Sequence, residues 1–358
     1  MSDARSISRR NGGWLRRAVL AALLLVLAAL PFYVDAQVLK IGSWSMAAAV
    51  GAIGLTLLVG TAGQLSLAHA FFAAVGAYGY AALADPEGPG WPSVAAAIGG
   101  VALAAVAGLL FSPVAARLRG LYLGVASLGL VFIGQHLLKN LSVVTGGVNG
   151  RGIVPFEIFG FQLSGASPPF DIVGVPFGAQ ERLWYLALFS VIVAAVLARG
   201  IMVRRPGRAF AMVRDNQAAA AALGIDVQHH KAAAFVVSSA FAGGAGILSG
   251  LAYAYLTPQN FGLPLSISFL LMAMIGGLGS VAGAVIGAVI VTATPLLLES
   301  YASRAGLLAA GGSGGYDAAT VSSILFGVLV VVLIVVEPAG IARLGARAWA
   351  RVIRPRAF

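Results

Sequence analysis

The stretch at residues 60–84, GTAGQLSLAHAFFAAVGAYGYAALA, combines the two properties on which the interpretation of the chain depends. It is apolar enough to enter a lipid bilayer, yet it contains the hydrogen-bonding side chains of Gln64, Ser66, His69 and Tyr78. Polar groups without partners are costly in hydrocarbon, so these side chains must face protein or a water-filled cavity. The stretch therefore predicts a membrane segment that packs inside a larger assembly of helices.

The whole chain has the composition of an integral membrane protein. Of its 358 residues, 59% are hydrophobic and 10% are charged, whereas soluble domains carry about 25% charged residues. Several runs reach the roughly 20 apolar residues that cross a hydrocarbon core. We predict an all-α fold, a polytopic transmembrane helical bundle with about ten membrane crossings. The predicted crossings are 18–34, 42–60, 63–84, 94–116, 120–139, 183–199, 232–256, 264–278, 280–298 and 320–337.

The basic residues lie in clusters between the apolar runs. Most of the 23 Lys and Arg residues fall in four short segments, a placement that follows the positive-inside rule. An even number of predicted crossings separates each cluster from the first, so all four are expected in the cytoplasm. No basic stripe is interleaved with aromatic residues, so nucleic acid is not an expected partner. The four segments are Arg5–Arg17, Arg117 with Arg119, Arg199–Lys231 and Arg343–Arg356.

This topology divides the chain into a membrane domain with two basic termini. The run at 18–34 also resembles a signal peptide with a cleavage site at Ala36. Because many further spans follow it, we expect an uncleaved first helix. The predicted parts are the cytoplasmic N-terminus 1–17, the transmembrane domain 18–340 with an outer loop at 140–182 and a cytoplasmic loop at 200–231, and the cytoplasmic tail 341–358.

The residues that are missing exclude several kinds of chemistry. The chain has no cysteine, and its four histidines have no metal-ligand spacing, so neither disulfides nor a metal site is expected. No Gly-Lys pair exists, so a GxxxxGK[ST] phosphate loop is absent and any ATP is bound by another polypeptide. No carboxylate lies at mid-membrane, which argues against ion coupling and against a catalytic site. The chain is therefore expected to bind no cofactor and to be no enzyme.

Two sets of glycines recur at intervals of four residues. Gly279, Gly283 and Gly287 form one set, and Gly246 and Gly250 form the other. If each set lies on one helix face, the small side chains let two helices approach closely. The spacing predicts helix packing and indicates nothing about a substrate.

The polar residues of 60–84 allow two interpretations. In the first they serve only packing, with Ala73 and Gly76 at close helix contacts and Ser or Gln side chains bonding between helices. In the second they line a pathway for a small polar solute, since polar groups persist in membranes beside cavities. The residues alone leave both interpretations open.

The hydrophilic segment 204–231 predicts a short helix between two spans. Good helix formers fill Ala209–Leu223, and Gly224 suits the position that ends a helix. The helix could lie at the membrane surface as an amphipathic element or dock into a groove of a cytoplasmic partner. One face gathers Phe210, Val213, Gln217 and Ala220 or Ala221, while Arg208, Arg214 and Asp215 lie elsewhere.

Six stretches, taken in order, resemble the branched-chain amino-acid ABC-transporter permeases, specifically the M-type member of the permease pair. The resemblance covers roughly residues 40–345. The six stretches are GTAGQLSLAHAFFAAVGAY (60–78), LRGLYLGVASLGL (118–130), TGGVNGRGIVP (145–155), GRAFAMVRDNQAAAAALGI (207–225), MIGGLGSVAGAVIGAVIV (274–291) and VEPAGIARL (336–344).

The resemblance implies a multi-pass permease subunit of the bacterial cytoplasmic (inner) membrane, with both termini in the cytoplasm. In such importers two related permeases form the pathway, two cytoplasmic ATPase subunits use ATP, and a periplasmic substrate-binding protein delivers a branched-chain or similar small amino acid. The surrounding membrane lipid is a further partner. Permeases of this kind also serve urea, short amides or aromatic acids, so these substrates remain alternatives. Two other classes also remain, a stand-alone secondary transporter and a purely structural membrane subunit.

The resemblance also assigns candidate roles to residues. Loop 204–225 is expected to couple to the ATPase, although Asn216 and Gln217 make it less acidic than in many relatives. The candidate pathway residues are Gln64, Ser66, His69, Tyr78, Thr145 and Asn149. The candidate coupling residues are Arg208, Phe210, Val213, Arg214, Asp215, Gln217 and Gly224.

Overall fold

The chain folds into a bundle of helices with a few very short strands. The computed structural model describes residues 18–19, 21–118, 120–169, 171–172, 175–304, 318–337 and 340–343. The predicted N-terminus 1–17 and the tail from 344 onwards lie outside the described residues. The helices are α1 (Ala21–Phe32), α2 (Ala36–Leu55, continued by the π-helix Thr56–Thr61), α3 (His69–Leu83), α4 (Ser93–Arg117), α5 (Leu121–Asn140), α6 (Ser142–Thr145), α7 (Ala179–Val203), α8 (Arg205–Asp215), α9 (Gln217–Ala222), α10 (Val227–Tyr253), α11 (Leu263–Gly276), α12 (Val281–Arg304) and α13 (Ala318–Val336).

Six of the described helices are long and apolar enough to cross a membrane. They are α2 with its π-helical end, α4, α5, α7, α10 and α12. Helices α1 and α11 and the 323–333 part of α13 are apolar but shorter, and α3 has 15 residues. Each predicted span overlaps one of these ten helices, so the all-α bundle is confirmed. The number of about ten crossings stays a prediction.

Helix α10 occupies the centre of the bundle. It packs along α4, α3 and α2, while α2 also packs against α7 and α12, and α11 pairs with α12. Close approach depends on small residues. A Cβ atom on Gly76 of α3 would meet the backbone of Gly243 of α10, so these two backbones are in direct contact. Buried residues are concentrated on α2, α3 and α10, whereas α4, α5 and α7 expose many large apolar side chains.

Only two of the three glycines near residue 280 lie on a helix. Gly283 and Gly287 lie on α12, where an added Cβ would meet the backbone of Gly276 and Met272 on α11. Gly279 precedes α12 and has φ +84°, so it forms the turn between the two helices. The prediction that all three glycines share one helix face is therefore wrong, because a positive φ is incompatible with a right-handed helix.

The second glycine pair also has two different environments. An added Cβ on Gly246 would meet the backbone of Ala73, so this glycine lies at a contact between α10 and α3. An added Cβ on Gly250 would meet the side chains of Leu256 and Ile153 instead. Gly250 therefore makes room for a loop that folds over the end of α10 rather than for a second helix.

The loops at one end of the bundle form what we call the hairpin end, residues 141–178 with 254–262. Strand β1 (Arg151–Gly152) pairs with β6 (Tyr255–Leu256), and two further two-residue hairpins lie between them in sequence. Asp85 and Arg151 form an ion pair across this end. The two hairpins are β2 (Glu157–Ile158) with β3 (Phe161–Gln162), and β4 (Asp171–Ile172) with β5 (Val175–Pro176).

The opposite end of the bundle, the α8 end, carries α8 and α9. The sequence predicts one helix over 209–223, and this prediction is wrong because the chain breaks at Asn216. There φ is −156° and the Asn216 Oδ1 atom accepts a hydrogen bond from Ala219 N–H at 3.0 Å. Asparagine at this position caps the N-terminus of a new helix, since its side chain replaces a missing backbone acceptor.

Candidate translocation and coupling site

The predicted span 63–84 is helical only from His69 onwards. Helix α3 has 15 residues and covers about 22 Å at roughly 1.5 Å per residue, less than the roughly 30 Å of a hydrocarbon core. Residues 62–68 are irregular, with φ +67° at Gly63. Irregular backbone at membrane depth is tolerated where protein surrounds it and supplies partners.

Serines from distant helices supply those partners. Ser127 Oγ of α5 accepts a hydrogen bond from Leu67 N–H at 2.8 Å. Just after the irregular residues, in the first turn of α3, Ser266 Oγ of α11 accepts one from Ala70 N–H at 3.0 Å. Neither serine is a candidate from the sequence, since each lies far along the chain from the backbone that it satisfies.

Two polar side chains of the segment itself, Gln64 and Ser66, also form hydrogen bonds that stabilise it. Gln64 Nε2 donates to the Lys231 carbonyl oxygen at 3.1 Å, which links the segment to the first turn of α10. Ser66 Oγ accepts from Ala68 N–H at 3.2 Å, just before α3 begins. Both side chains are buried, and Gln64 Oε1 has no partner among the described residues. The two candidates thus lie together in the irregular segment.

His69 belongs to a buried polar cluster with Ser238 of α10. The His69 Nε2 and Ser238 Oγ atoms are 3.1 Å apart, and Ser238 Oγ donates to the Gly54 carbonyl oxygen at 2.8 Å. Because a hydroxyl has one hydrogen, we infer that His69 Nε2 carries the ring hydrogen and donates to Ser238. His69 Nδ1 then points a lone pair at no described partner. The ring of Phe269 packs edge-on, 6.0 Å from the His69 ring.

The other three pathway candidates lie towards the hairpin end. The Tyr78 ring is 5.9 Å from the Phe261 ring, and its hydroxyl has no partner among the described residues. Thr145 Oγ1 is 2.6 Å from the Leu138 carbonyl oxygen, so it stabilises the end of α5. Asn149 is exposed. The structure therefore brings Gln64, Ser66 and His69 together and leaves Tyr78, Thr145 and Asn149 separate from them.

Three cavities in the described part of the chain have other linings. An apolar cavity of about 340 Å³ lies among α2, α4, α7 and α10. A mixed cavity of about 250 Å³ lies among α2, α10, α11 and α12. A third of about 370 Å³, the basic cavity, lies between α8 and α10 and is lined by Arg205, Phe210, His229 and His230, among others. None of the six pathway candidates belongs to the lining of these three cavities.

The coupling candidates divide into an inner and an outer group. Phe210 and Val213 are 3% and 2% exposed, so they hold α8 on the bundle rather than facing a partner. The Phe210 ring packs against the His230 ring at 6.1 Å, and Gln217 is half-buried. Arg208, Asp215 and Gly224 belong to the outer group, which is exposed.

Arg214 connects the two groups. Its Nη1 atom donates to the Gly60 carbonyl oxygen at 2.6 Å, and its Nε atom donates to Asp215 Oδ1 at 2.9 Å. The Arg214 side chain also fills the space where a Cβ atom on Gly63 would lie. Gly60 in turn contacts the backbone of Gly279. The α8 surface is thereby in contact with the start of the irregular segment.

Comparison with known proteins gives a consistent result. A family model described as branched-chain amino acid transport system / permease component matches residues 37–334. The high-affinity branched-chain amino acid transport system permease protein LivM of Escherichia coli is 31% identical over 297 residues, covering 80% of this chain and 69% of that protein. The LivM protein of Salmonella typhimurium is 32% identical with the same coverage.

A second kind of permease also matches. The high-affinity branched-chain amino acid transport system permease protein LivH of Salmonella typhimurium is 28% identical over 262 residues, which cover 70% of this chain and 82% of that protein. The LivH protein of Escherichia coli is equally similar. No solved structure matches the chain significantly.

Proposed function

The chain belongs to the family of permease components of branched-chain amino acid transport systems, and we propose that it forms half of the pathway of an ATP-driven importer. The match over residues 37–334 is the observation that carries this proposal. We propose branched-chain or similar small amino acids as substrates, from the names of the relatives. Urea, short amides or aromatic acids are the alternative substrates.

The second half of the pathway comes from a related permease in this proposal. The chain is similar to two differently named permease proteins of one organism, which is the pattern expected if two related subunits pair. Two ATPase subunits in the cytoplasm supply the energy, and a periplasmic binding protein delivers the substrate. The chain itself contributes no phosphate loop, since its sequence has no Gly-Lys pair.

The exposed surface of α8 and α9 is the proposed ATPase contact. Arg208, Asp215 and Leu223 are exposed there, with Leu223 69% exposed. An exposed leucine at the end of a short helix suits insertion into a groove of a partner. This assignment places the α8 end in the cytoplasm and the hairpin end in the periplasm, with both termini cytoplasmic.

The irregular segment 62–68 is the proposed moving part. Gln64 Oε1 and His69 Nδ1 are buried without described partners, and unpaired buried polar atoms destabilise the arrangement that contains them. We assign this arrangement to a closed state in which the polar atoms are withdrawn from the pathway. Movement of α8 through Arg214 would shift the segment and expose these atoms to the solute.

Affinity purification of the tagged chain from its native cell in mild detergent tests the proposed assembly. We expect two ATPase subunits and a second permease to co-purify. A chain that purifies alone and catalyses ion-dependent uptake by itself would contradict the proposal. A variant with Leu223→Asp, which adds a charge to the exposed surface only, should lose the ATPases and retain the second permease.

A further inference from the structure

We propose that the mixed cavity is a binding site within this single chain for a small amphipathic solute with an anionic or hydrogen-bonding head and a short aliphatic tail. The cavity lies among four helices, with a volume of about 250 Å³. The residues that decide its chemistry are Trp44, Tyr253, Asn260, Phe269, Met272 and Thr292. None of the candidates taken from the sequence lies in its lining.

Two polar atoms in the lining have no hydrogen-bond partner within the described part of the chain. Trp44 Nε1 and Thr292 Oγ1 are buried and form no hydrogen bond among the described residues. Hydroxyls on membrane helices commonly return to the carbonyl four residues earlier, and Ser190 and Ser268 do so, each at 2.8 Å. Thr292 does not, which leaves its hydroxyl available. Buried polar groups are nearly always satisfied, so a donor and an acceptor at one cavity indicate an occupant with polar atoms.

The lining changes from polar at the hairpin end to apolar further along α11. Tyr253 and Asn260 lie at the hairpin end and are exposed. Phe269 and Met272 lie further along α11 and are buried. A solute would therefore place its head near Trp44 and Asn260 and its tail against Phe269. The Phe269 ring also packs edge-on against the His69 ring, with 6.0 Å between the ring centroids, so the tail would lie one ring away from the buried polar cluster.

The volume limits the solute to a small metabolite. About 250 Å³ corresponds to about eight water volumes of roughly 30 Å³ each. Drug-sized ligands occupy roughly 300–1,000 Å³. The cavity therefore has room for about eight non-hydrogen atoms, if each takes the place of one water. A branched aliphatic amino acid or a short carboxylic acid is of this size. The acyl chain of a membrane lipid is too long to be enclosed.

A positive charge close to Trp44 favours an anionic head. No acidic residue lines the described cavity. Lys40 lies one helical turn before Trp44, with its Nζ atom 5.0 Å from the Trp44 ring centroid. An ammonium at this position attracts a carboxylate at the mouth of the cavity and repels a cationic solute. A zwitterion would bind with its carboxylate beside Lys40.

Equilibrium binding of radiolabelled L-leucine to the assembled transporter in lipid nanodiscs tests this site. The inference rests on the proposed function for the choice of this probe. The measurement uses no ATP and no binding protein, so import is not required. We expect saturable binding, weakened about tenfold by Thr292→Val, which removes one hydrogen bond at nearly constant volume. Thr292→Ser, which keeps the hydroxyl, should bind within about twofold of the wild type.

A matched pair on α11 separates filling of the cavity from damage to the helix. Ser268 lines the cavity, whereas Ile267 beside it is 42% exposed. We expect Ser268→Phe to abolish leucine binding and Ile267→Phe to leave it unchanged. Equal binding by both variants, or by Thr292→Val and the wild type, would overturn the proposal.

Two further outcomes separate the possible occupants and the two proposals. Displacement of leucine by phosphatidylglycerol or by a long-chain fatty acid would identify the site as a lipid site and overturn the assignment. Absence of saturable binding, with ATP-driven leucine uptake intact in the same preparation, would overturn the cavity proposal alone. Absence of ATP-driven leucine uptake by the wild-type transporter would instead contradict the proposed import function.

Discussion

The Arg214 guanidinium donates a hydrogen bond to the main-chain oxygen of Gly60 at 2.6 Å, across the junction between α8 and the π-helical end of α2. A surface helix that is bonded to backbone can transmit its displacement, because the carbonyl cannot rotate away as a side chain does. The contact also covers the point where the irregular segment begins. We regard it as the mechanical link in the proposed coupling.

Replacement of Arg214 by alanine is expected to uncouple transport from ATP hydrolysis. Loss of a charged hydrogen bond costs about 1.5–3 kcal/mol, so we expect ATP-driven uptake to fall about tenfold or more. The ATPase subunits should still co-purify, because Phe210 and Val213 continue to hold α8 on the bundle. Uptake and ATPase activity of the reconstituted complex measure the effect.

Arg208→Ala is the control for that experiment. Arg208 lies on the same helix and is exposed, so its loss should weaken ATPase attachment without affecting the Gly60 contact. If Arg214→Ala loses the ATPases as readily as Arg208→Ala does, Arg214 is a docking residue and the transmission role is wrong.

The contact between Gly60 and Gly279 predicts a strong local constraint on side-chain size. A Cβ on Gly60 would lie 2.8 Å from Gly279 Cα and 2.9 Å from the Leu278 carbonyl carbon. Since neither backbone can move away without disturbing its own helix or turn, Gly60→Ala should destabilise the protein by about 1–3 kcal/mol. Thermal unfolding of the purified protein in detergent measures the change.

Gly129→Ala provides the matched substitution. An added Cβ on Gly129 of α5 meets nothing within 4 Å, and alanine favours helix over glycine by about 1 kcal/mol. This variant should unfold at or slightly above the wild-type temperature. A Gly60→Ala protein that is as stable as Gly129→Ala would show that the close backbone contact is absent in solution.

Gln64→Leu is expected to abolish uptake without preventing assembly. The change removes the Nε2 hydrogen bond to the Lys231 carbonyl oxygen and the polar atom that the proposed pathway would expose. Gln64→Asn retains an amide donor and acceptor and should keep more activity than the leucine variant. Uptake at the wild-type rate in the leucine variant would exclude Gln64 from the pathway and leave it as a packing residue.

Arg182 should hold the loops at the hairpin end. Its guanidinium donates to the carbonyl oxygens of Phe177, Gln162 and Ser167 at 3.1, 3.2 and 3.0 Å, and also to that of Pro168. Arg182→Lys keeps the charge but loses the planar set of donors. We expect faster limited proteolysis within 159–178.

Cleavage elsewhere in the same variant is the internal control. The α8 end lies at the opposite end of the bundle, so its proteolysis should remain at the wild-type rate. Unchanged cleavage of 159–178 in Arg182→Lys would mean that the loops keep their structure without the arginine fork.

Much of the bundle could be predicted because apolar runs have visible ends. The predicted span 94–116 differs by one residue at each end from the helix Ser93–Arg117, and the predicted span 183–199 lies inside the helix Ala179–Val203. In both, a basic residue or a change to loop residues marks where the run leaves hydrocarbon. The family resemblance was also confirmed by the match over 37–334.

The irregular segment could not be predicted, since its stability depends on residues remote in sequence. Leu67 is satisfied by a serine 60 residues away, and Ala70 by one 196 residues away. Neither serine differs in its local sequence from a packing residue. The prediction of one helix over 209–223 failed for a local reason. The segment is rich in helix formers, but the Asn216 side chain caps a new helix and outweighs their propensity.

The mixed cavity could not be predicted from the sequence either. Trp44, Asn260 and Thr292 come from three separate parts of the chain, and each has an ordinary role as an interfacial, loop or helix residue. Only the packing of α2, α10, α11 and α12 brings them together around one space.

ATP-driven uptake of L-leucine into proteoliposomes tests the central claim most directly. The vesicles contain this chain with its co-purified permease and ATPases, and the binding protein is supplied from the hairpin side. We predict uptake that requires ATP at the α8 side, is insensitive to ionophores and is lost in the Arg214→Ala complex. Uptake by this chain alone, driven by a proton or sodium gradient without ATPase subunits, would contradict the account.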